Sequence, residues 1–172
     1  MWFRRDLRLR DHTALSAACD AGRPVIPVVI RDDSIDTLGA APKWRWGLGV
    51  EHLASTLQGK GSRLICRSGE ALDVLRALIS ETGAGAVYWS RLYDPQSVER
   101  DTVIKSTLKE AGIDARSYGG HLMFEPGTTE TKTGVFYKVY TPFWRAVKDR
   151  DVDPPLDIPG TLPAPASWPD SA

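Results

Sequence analysis

The side chains with most chemistry to offer stand close to the amino terminus. In WFRRDLRLRDHTAL, residues 2–15, four arginines and two aspartates fill the step between an apolar pair and a helix-like stretch. An arginine in such a loop presents forked donors to a ligand or to a neighbouring domain. Asp6 can hold one of those arginines or accept from a ligand's N–H. The plainer reading of Arg4, Arg5, Asp6 and Arg8 is a solvated loop whose local ion pairs contribute about 0–1 kcal/mol each. The residues alone leave both readings open.

Two further groups share these properties. Lys43, Trp44 and Arg45 open a predicted helix. Trp44 lies about 160° around that helix from Trp46, so Trp44 is free to stack on a flat ring or to meet another domain. Tyr93 and Asp94 follow the apolar run AVYWS. Asp94 precedes Pro95, which equally suits it as a helix N-cap.

Familiar catalytic signatures fail. Gly47-Leu48-Gly49 has His52 where a dinucleotide fingerprint needs glycine, and it falls inside a helical period. Gly59-Lys60-Gly61 lacks Walker spacing. His12, His52 and His121 are too scattered to suggest zinc. No G-x-S-x-G elbow occurs. Cys19 and Cys66 are in no metal-type spacing and read as two buried thiols in a reducing cytosol, so a cytoplasmic location is expected.

The elements that position these groups follow from periodicity. PVIPVVI (24–30) is a continuous apolar run, the pattern of a strand covered on both faces. RLICR (63–67), AVYWS (86–90) and DARSY (114–118) complete a series that starts at Trp2-Phe3. Met1 leads straight into Trp2, so the first strand looks clipped. Between the strands lie four predicted helices. Asp11 caps the first, which Gly22 closes. Pro42 opens the second, with Trp46, Val50, Leu53 and Leu57 inward. Ser68 caps the third, with Leu72, Leu75, Leu78 and Ile79 inward. Asp94-Pro95 starts the fourth, with Ile104, Leu108 and Ala111 inward. This βα alternation predicts an α/β fold, a Rossmann-like doubly wound sheet of about five parallel strands with helices on both faces. Trp2, Trp46, Trp89 and Trp144 are expected in the core.

After residue 119 the pattern changes. GTTETKTG (127–134) is a polar loop, and Thr141-Pro142 caps a short helix carrying Tyr140, Phe143, Trp144 and Val147. Residues 151–172 hold half of the chain's twelve prolines and read as an extended linker rather than a core element. The expected division is a domain over 1–150 and the start of an interdomain linker over 151–172. The 172 residues suit one domain, with 42% hydrophobic and 26% charged residues. Lys+Arg and Asp+Glu balance at 22 each, which argues against a strong phosphate-binding surface. Lys138 and Arg145 read as a solvated helix face. No apolar run reaches the ~20 residues of a membrane span.

In an open parallel sheet, ligands sit beyond the carboxyl ends of the strands where strand order reverses. The first strand usually borders that point, so the R-R-D turn lies beside the crevice. WFRRDLRLRDHTAL resembles the opening signature of the photolyase/cryptochrome family. APKWRWGLGVEHL (41–53), AVYWSRLYDP (86–95) and YKVYTPFWRA (137–146) resemble further segments of that family, in the same order. The resemblance covers nearly the whole chain.

The resemblance implies an antenna-chromophore-binding N-terminal domain of a deoxyribodipyrimidine photolyase, most like a bacterial enzyme acting on cyclobutane dimers. FAD, the dimer pocket and most of the DNA surface would belong to a helical domain beyond this chain, which is expected alone to be inactive, monomeric and free of membrane contact. The protein's task toward an antenna is positioning and spectral tuning. Arg4, Arg5, Asp6, Lys43, Trp44, Arg45, Tyr93 and Asp94 are the candidate chromophore contacts.

The type of antenna stays open. Gln96 and Ser97 stand where folate-binding relatives carry Asn-Glu. Asp94 matches one acidic group of the deazaflavin-type pattern, but Leu92 does not match the other. A flavin, or no antenna, remains an alternative. Other readings are a cryptochrome-type blue-light receptor, a stand-alone nucleotide-binding module like those of electron-transfer flavoproteins and stress proteins, or a pure interaction domain.

Overall fold

A computed structural model describes residues 1–131 and 133–171. Five strands form one parallel sheet: β1 (Trp2–Phe3), β2 (Val28–Arg31), β3 (Ile65–Ser68), β4 (Ala86–Ser90) and β5 (Asp114–Tyr118). Their order is β3-β2-β1-β4-β5. Strand order therefore reverses at β1, which pairs with β2 on one side and β4 on the other.

Among the described residues six helices accompany the sheet: α1 (Thr13–Asp20), α2 (Asp33–Asp36), α3 (Ala40–Gln58), α4 (Ala71–Thr82), α5 (Pro95–Glu110) and α6 (Tyr140–Val147). Because side chains alternate along a strand, consecutive residues feed different cores. Trp2, Val28, Ile30, Val87 and Trp89 pack with Leu75, Leu78, Ile104 and Leu108 of α4 and α5. Phe3 and Val29 pack on the other face with Leu15, Leu53 and Leu57 of α1 and α3. Trp2 and Trp89 meet at 6.0 Å between ring centroids. Each fully buried leucine contributes about 1.5–3 kcal/mol relative to exposure.

Several local expectations are corrected. Asp11 does not cap α1. Its φ of 52° puts it in the left-handed region, which aspartate tolerates. His12 caps instead, its Nδ1 accepting from Leu15 N at 3.2 Å. Ser68 ends β3, and α4 starts after Glu70. The helix α3 begins before Pro42, which sits in its first turn, where a missing N–H costs nothing. Thr141-Pro142 likewise falls inside the first turn of α6, after Val139. Ala111 lies past the end of α5 and is exposed. The short helix α2 had no periodic signal; it is held by Asp32, which accepts from Ser34 N at 3.0 Å.

Two tryptophans depart from the expected core. Trp46 is half-buried, and Trp144 is 49% exposed, stacked on Tyr140 at 6.2 Å. Both cysteines are free and half-buried, and burial raises both thiol pKa values. No helix among the described residues is long and apolar enough to cross a membrane.

The proline-rich stretch is extended, as its composition requires, yet it joins the core. Leu162 is buried among Phe3, Leu53 and Leu57, and Trp168 packs on the opposite cluster. Backbone bonds fasten this strap along its length. Asp11 N donates to Leu156 O at 2.9 Å and Val25 N to Pro163 O at 2.7 Å. Near its end, Cys66 N donates to Ser171 Oγ at 2.9 Å.

A candidate ligand crevice at the strand-order reversal

The residues after β1 and β4 leave adjacent central strands at their carboxyl ends, so the two exit loops face each other. The first layer of this crevice is buried. Arg4 is 8% exposed and grips Asp101 of α5 with one guanidinium nitrogen, at 2.8 and 2.7 Å to the two carboxylate oxygens. Its other terminal nitrogen donates to the carbonyl of Ser90. Burial lowers the Arg4 pKa, and Asp101 offsets that. Asp101 also accepts from Trp89 Nε1 at 3.2 Å and from Arg100. Arg100 reaches on to Asp32 at 2.9 Å. A chain of alternating charges thus links the exits of β1, β2 and β4.

Asp6 is 2% exposed. It accepts from Arg4 N at 2.8 Å and lies 2.8 Å from His12 Nε2. The imidazole contact is close but off the N–H axis, so Nε2 lacks an aligned hydrogen bond. Burial pushes the Asp6 pKa up, but His12, Ser90 and the Arg4 amide outweigh it and hold the carboxyl well below the usual range. With Nδ1 accepting from Leu15, His12 presents its proton at Nε2. The Asp6–His12 pair therefore locks the turn onto α1; its burial leaves it no access to a substrate.

A second layer lies at the rim. Arg5 turns outward and meets Asp94 at 3.3 Å. Asp94 caps α5 through Ser97 N at 3.0 Å, so the capping role and the crevice position coincide. Its pKa is lowered: the bonds to Ser97 and the Arg5 charge overcome burial. Tyr93 donates to Glu125 Oε1 at 2.6 Å, and Arg91 to Glu125 Oε2 at 2.7 Å. Burial and Glu125 push the Tyr93 phenol up to about 12. Arg8 closes the rim, donating to Gly120 O at 2.7 Å. His121 follows; its Nε2 is buried without a hydrogen-bond partner among the described residues. Burial lowers the His121 pKa, so its neutral form is favoured.

The helix α3 forms a side wall. A Cβ at Gly49 would stand 2.8 Å from Leu7 Cδ1, so glycine there lets the R-R-D-L turn lie against the helix. Lys43 is tied to Asp36 O at 2.9 Å. Trp44 is 68% exposed and Arg45 is exposed. No hydrogen bond or ion pair joins these three to the crevice residues, among the described residues. The structure thus pairs Arg5 with Asp94, beside Tyr93, and leaves half-buried Lys43 and exposed Trp44 and Arg45 without a polar link to them. Arg4 and Asp6 support the floor instead of facing a ligand.

Sequence reasoning missed Asp101, Arg100, Asp32, Glu125 and His121. Asp101 had a signal: it lies seven residues after Asp94, on the same helix face. Glu125 and His121 come from an irregular segment with no period to read.

The DNA photolyase family pattern ("DNA photolyase") matches residues 1–164. The chain belongs to the DNA photolyase family. It is 47% identical to the deoxyribodipyrimidine photo-lyase of Agrobacterium fabrum, over 99% of this chain and 36% of that protein. The crystal structure of a class III photolyase from Agrobacterium tumefaciens superposes with a TM-score of 0.95 at 47% identity, covering 99% of this chain and 36% of that one. Cryptochrome-2 of Arabidopsis thaliana is 33% identical over 98% of this chain and 29% of its own length. An archaeal photolyase from Sulfolobus tokodaii, described with two FAD molecules that imply a novel light-harvesting cofactor, has a TM-score of 0.72 at 28% identity over 93% of this chain and 36% of that one. The chain thus spans about a third of these relatives, and its sheet is the photolyase N-terminal α/β fold.

Proposed function

We propose that this chain is the light-harvesting domain of a photolyase: it holds an antenna chromophore in the crevice where β1 and β4 end. The observation that carries this reading is the two-layer construction. Buried pairs fix the floor, and a polar rim of Arg5, Tyr93 and Asp94 stands above it with an unpartnered nitrogen at His121 Nε2. A flat heteroaromatic pigment has polar edges that these groups suit, and the exposed Trp44 ring, which has no polar link to the rim, is free to stack on such a pigment. When bound, the pigment supplies light absorption; the residues position it and exclude water. The archaeal relative described with a light-harvesting cofactor supports this.

The rest of the activity belongs to the longer protein. The reading places FAD and damaged DNA on a helical domain, with repair of pyrimidine dimers under blue light as the output. Flipped-base chemistry is general to photolyases. The exposed apolar residues Leu122, Met123, Phe136, Val139, Tyr140 and Trp144 are the ones such a domain would cover. Balanced charge keeps this domain's own part in DNA binding small.

Titrating the purified chain with a folate, a deazaflavin and a flavin, followed by absorbance and fluorescence, tests the reading. One of the three should bind, and Arg5→Ala and Trp44→Ala should each weaken it. A crevice that binds none of them with the helical domain attached contradicts it. The relationship to cryptochrome-2 favours one second reading, a photoreceptor with the same pigment seat and no repair. Dimer repair by the full-length protein under blue light separates the two.

A further inference from the structure

Past β5 the chain reads GGHLMFE over residues 119–125 and forms neither helix nor strand. Its polar side chains are His121 and Glu125. The His121 Nε2 has no hydrogen-bond partner among the described residues. Glu125 has two. Its Oε1 accepts from Tyr93 OH at 2.6 Å and its Oε2 from Arg91 at 2.7 Å. Arg91 also donates through its side chain to Ser117 O at 3.2 Å and through its backbone N to Tyr118 O at 2.7 Å. One carboxylate therefore fastens this irregular segment to the exit of β4, immediately before Asp94.

The fit is close. A Cβ at Gly119 would collide with Glu125 Oε1, so the carboxylate folds back onto the start of its own segment. Arg8 of the β1 turn donates to Gly120 O at 2.7 Å, and a Cβ at Gly120 would meet Ser90 Oγ at 3.5 Å. His121 lies within range of the Asp6, Arg8 and Arg4 charges. On the far side, Thr128 donates its N and Oγ1 to Glu125 O at 3.0 and 2.7 Å. Arg150 then donates to Thr128 O at 2.9 Å and lies 4.4 Å from the Phe124 ring. A phenol has one proton to donate. Glu125 takes it from Tyr93, in a bond as short as charge-assisted ones are, so only lone pairs of Tyr93 are left to offer the crevice.

We propose that Glu125 is a positioning residue for the crevice rim: its carboxylate fixes Tyr93 as a hydrogen-bond acceptor and latches residues 119–125 beside the floor laid by Arg4 and Asp6. Glu125 itself touches no ligand. It acts through Tyr93, and it thereby selects a ligand edge that brings an N–H or O–H to that oxygen. The ligand part rests on the pigment-seat reading above; the latch does not.

The test compares the chain as given with Glu125→Gln, Tyr93→Phe and the double variant. Glutamine keeps the shape and removes the charge. The Tyr93 titration, isolated by subtracting the tyrosinate absorbance of Tyr93→Phe, should fall in Glu125→Gln from about 12 toward the ordinary phenol value of about 10. The Arg91 and Thr128 amides, which flank the latch, should exchange about tenfold faster or more, while Val29 in β2 keeps the parent's rate. An unmoved titration, unchanged exchange or equal quickening at Val29 overturns the latch. With a pigment that the parent binds, each single variant should release it about tenfold faster, and the double variant no faster than Glu125→Gln alone. Unchanged release or additive acceleration overturns the positioning role. A parent that binds no pigment contradicts the seat, and titration and exchange then decide the latch by themselves.

Discussion

At the carboxyl ends of β1 and β4 the chain buries Arg4, Asp6, His12 and Asp101, whereas at the amino ends of the same strands it surrounds an apolar cavity with Leu78, Val87 and Trp168. Both regions belong to one sheet and share its central strands. The difference lies in what each end must do. Loops leaving the carboxyl ends reach a strand-order reversal, where side chains can converge on a ligand. Holding charges there requires every buried charge to meet a partner. The amino ends carry no such demand, and burial of apolar surface suffices. Position is expensive to maintain at one end and cheap at the other, so substitutions should act differently at the two.

The largest loss is expected from Arg4→Ala. It removes the shortest ion pair of Asp101, leaving Trp89 and Arg100 on the carboxylate, and empties the Ser90 contact; breaking a buried pair costs about 3–5 kcal/mol, and Arg100 holds the loss to the low end of that range, read by urea unfolding. Exchanging Arg4 and Asp101 together for methionine and leucine should recover much of that loss. If the single and double variants unfold alike, the floor is not held by this pair.

At the other end, Leu162→Ala should cost about 2–5 kcal/mol with no pH dependence, because the strap is fastened by apolar burial. An unchanged midpoint would show that the strap is loose in solution.

The Asp6→Asn variant should lose about 1–3 kcal/mol near neutral pH. The folded-state pKa of Asp6 is lowered, so the unfolded chain binds more protons and stability rises with pH. The contribution is full above the unfolded value near 4 and is lost as pH falls toward the lower folded value. The variant's stability should therefore vary less with pH below about 4 than that of the parent. Equal slopes would contradict the assigned role.

The Asp94→Ala variant should cost about 1 kcal/mol through its cap on α5, the Arg5 pair adding little in its exposed setting. A loss several times larger would mean that the rim is part of the structural floor.

How much of this was open to a reader of the sequence follows from the same division. Strand alternation and helical period depend on burial, and burial is written residue by residue. The parallel sheet, the exact span Ala86–Ser90 and the inward leucines of α4 were all legible for that reason. The charged turn was visible as a turn, and its place beside the order reversal followed from the topology. What could not be read was which charge meets which. Arg4 and Asp101 are 97 residues apart, and only the packed sheet brings them together. Trp144 looked like core because aromatic spacing is the same whether a helix faces its own domain or another. The packing of the strap is not legible because proline content reports an extended backbone and says nothing about where Leu162 and Trp168 point.

The central claim is that the rim above the buried floor seats a pigment. Binding of the preferred chromophore to the parent, Trp44→Ala and Arg5→Ala tests it most directly, with urea unfolding of the same three proteins alongside. Both variants should keep the parent's stability within about 0.5 kcal/mol, as exposed sites do, while binding the pigment more weakly. Parent-like binding in both variants would contradict the account.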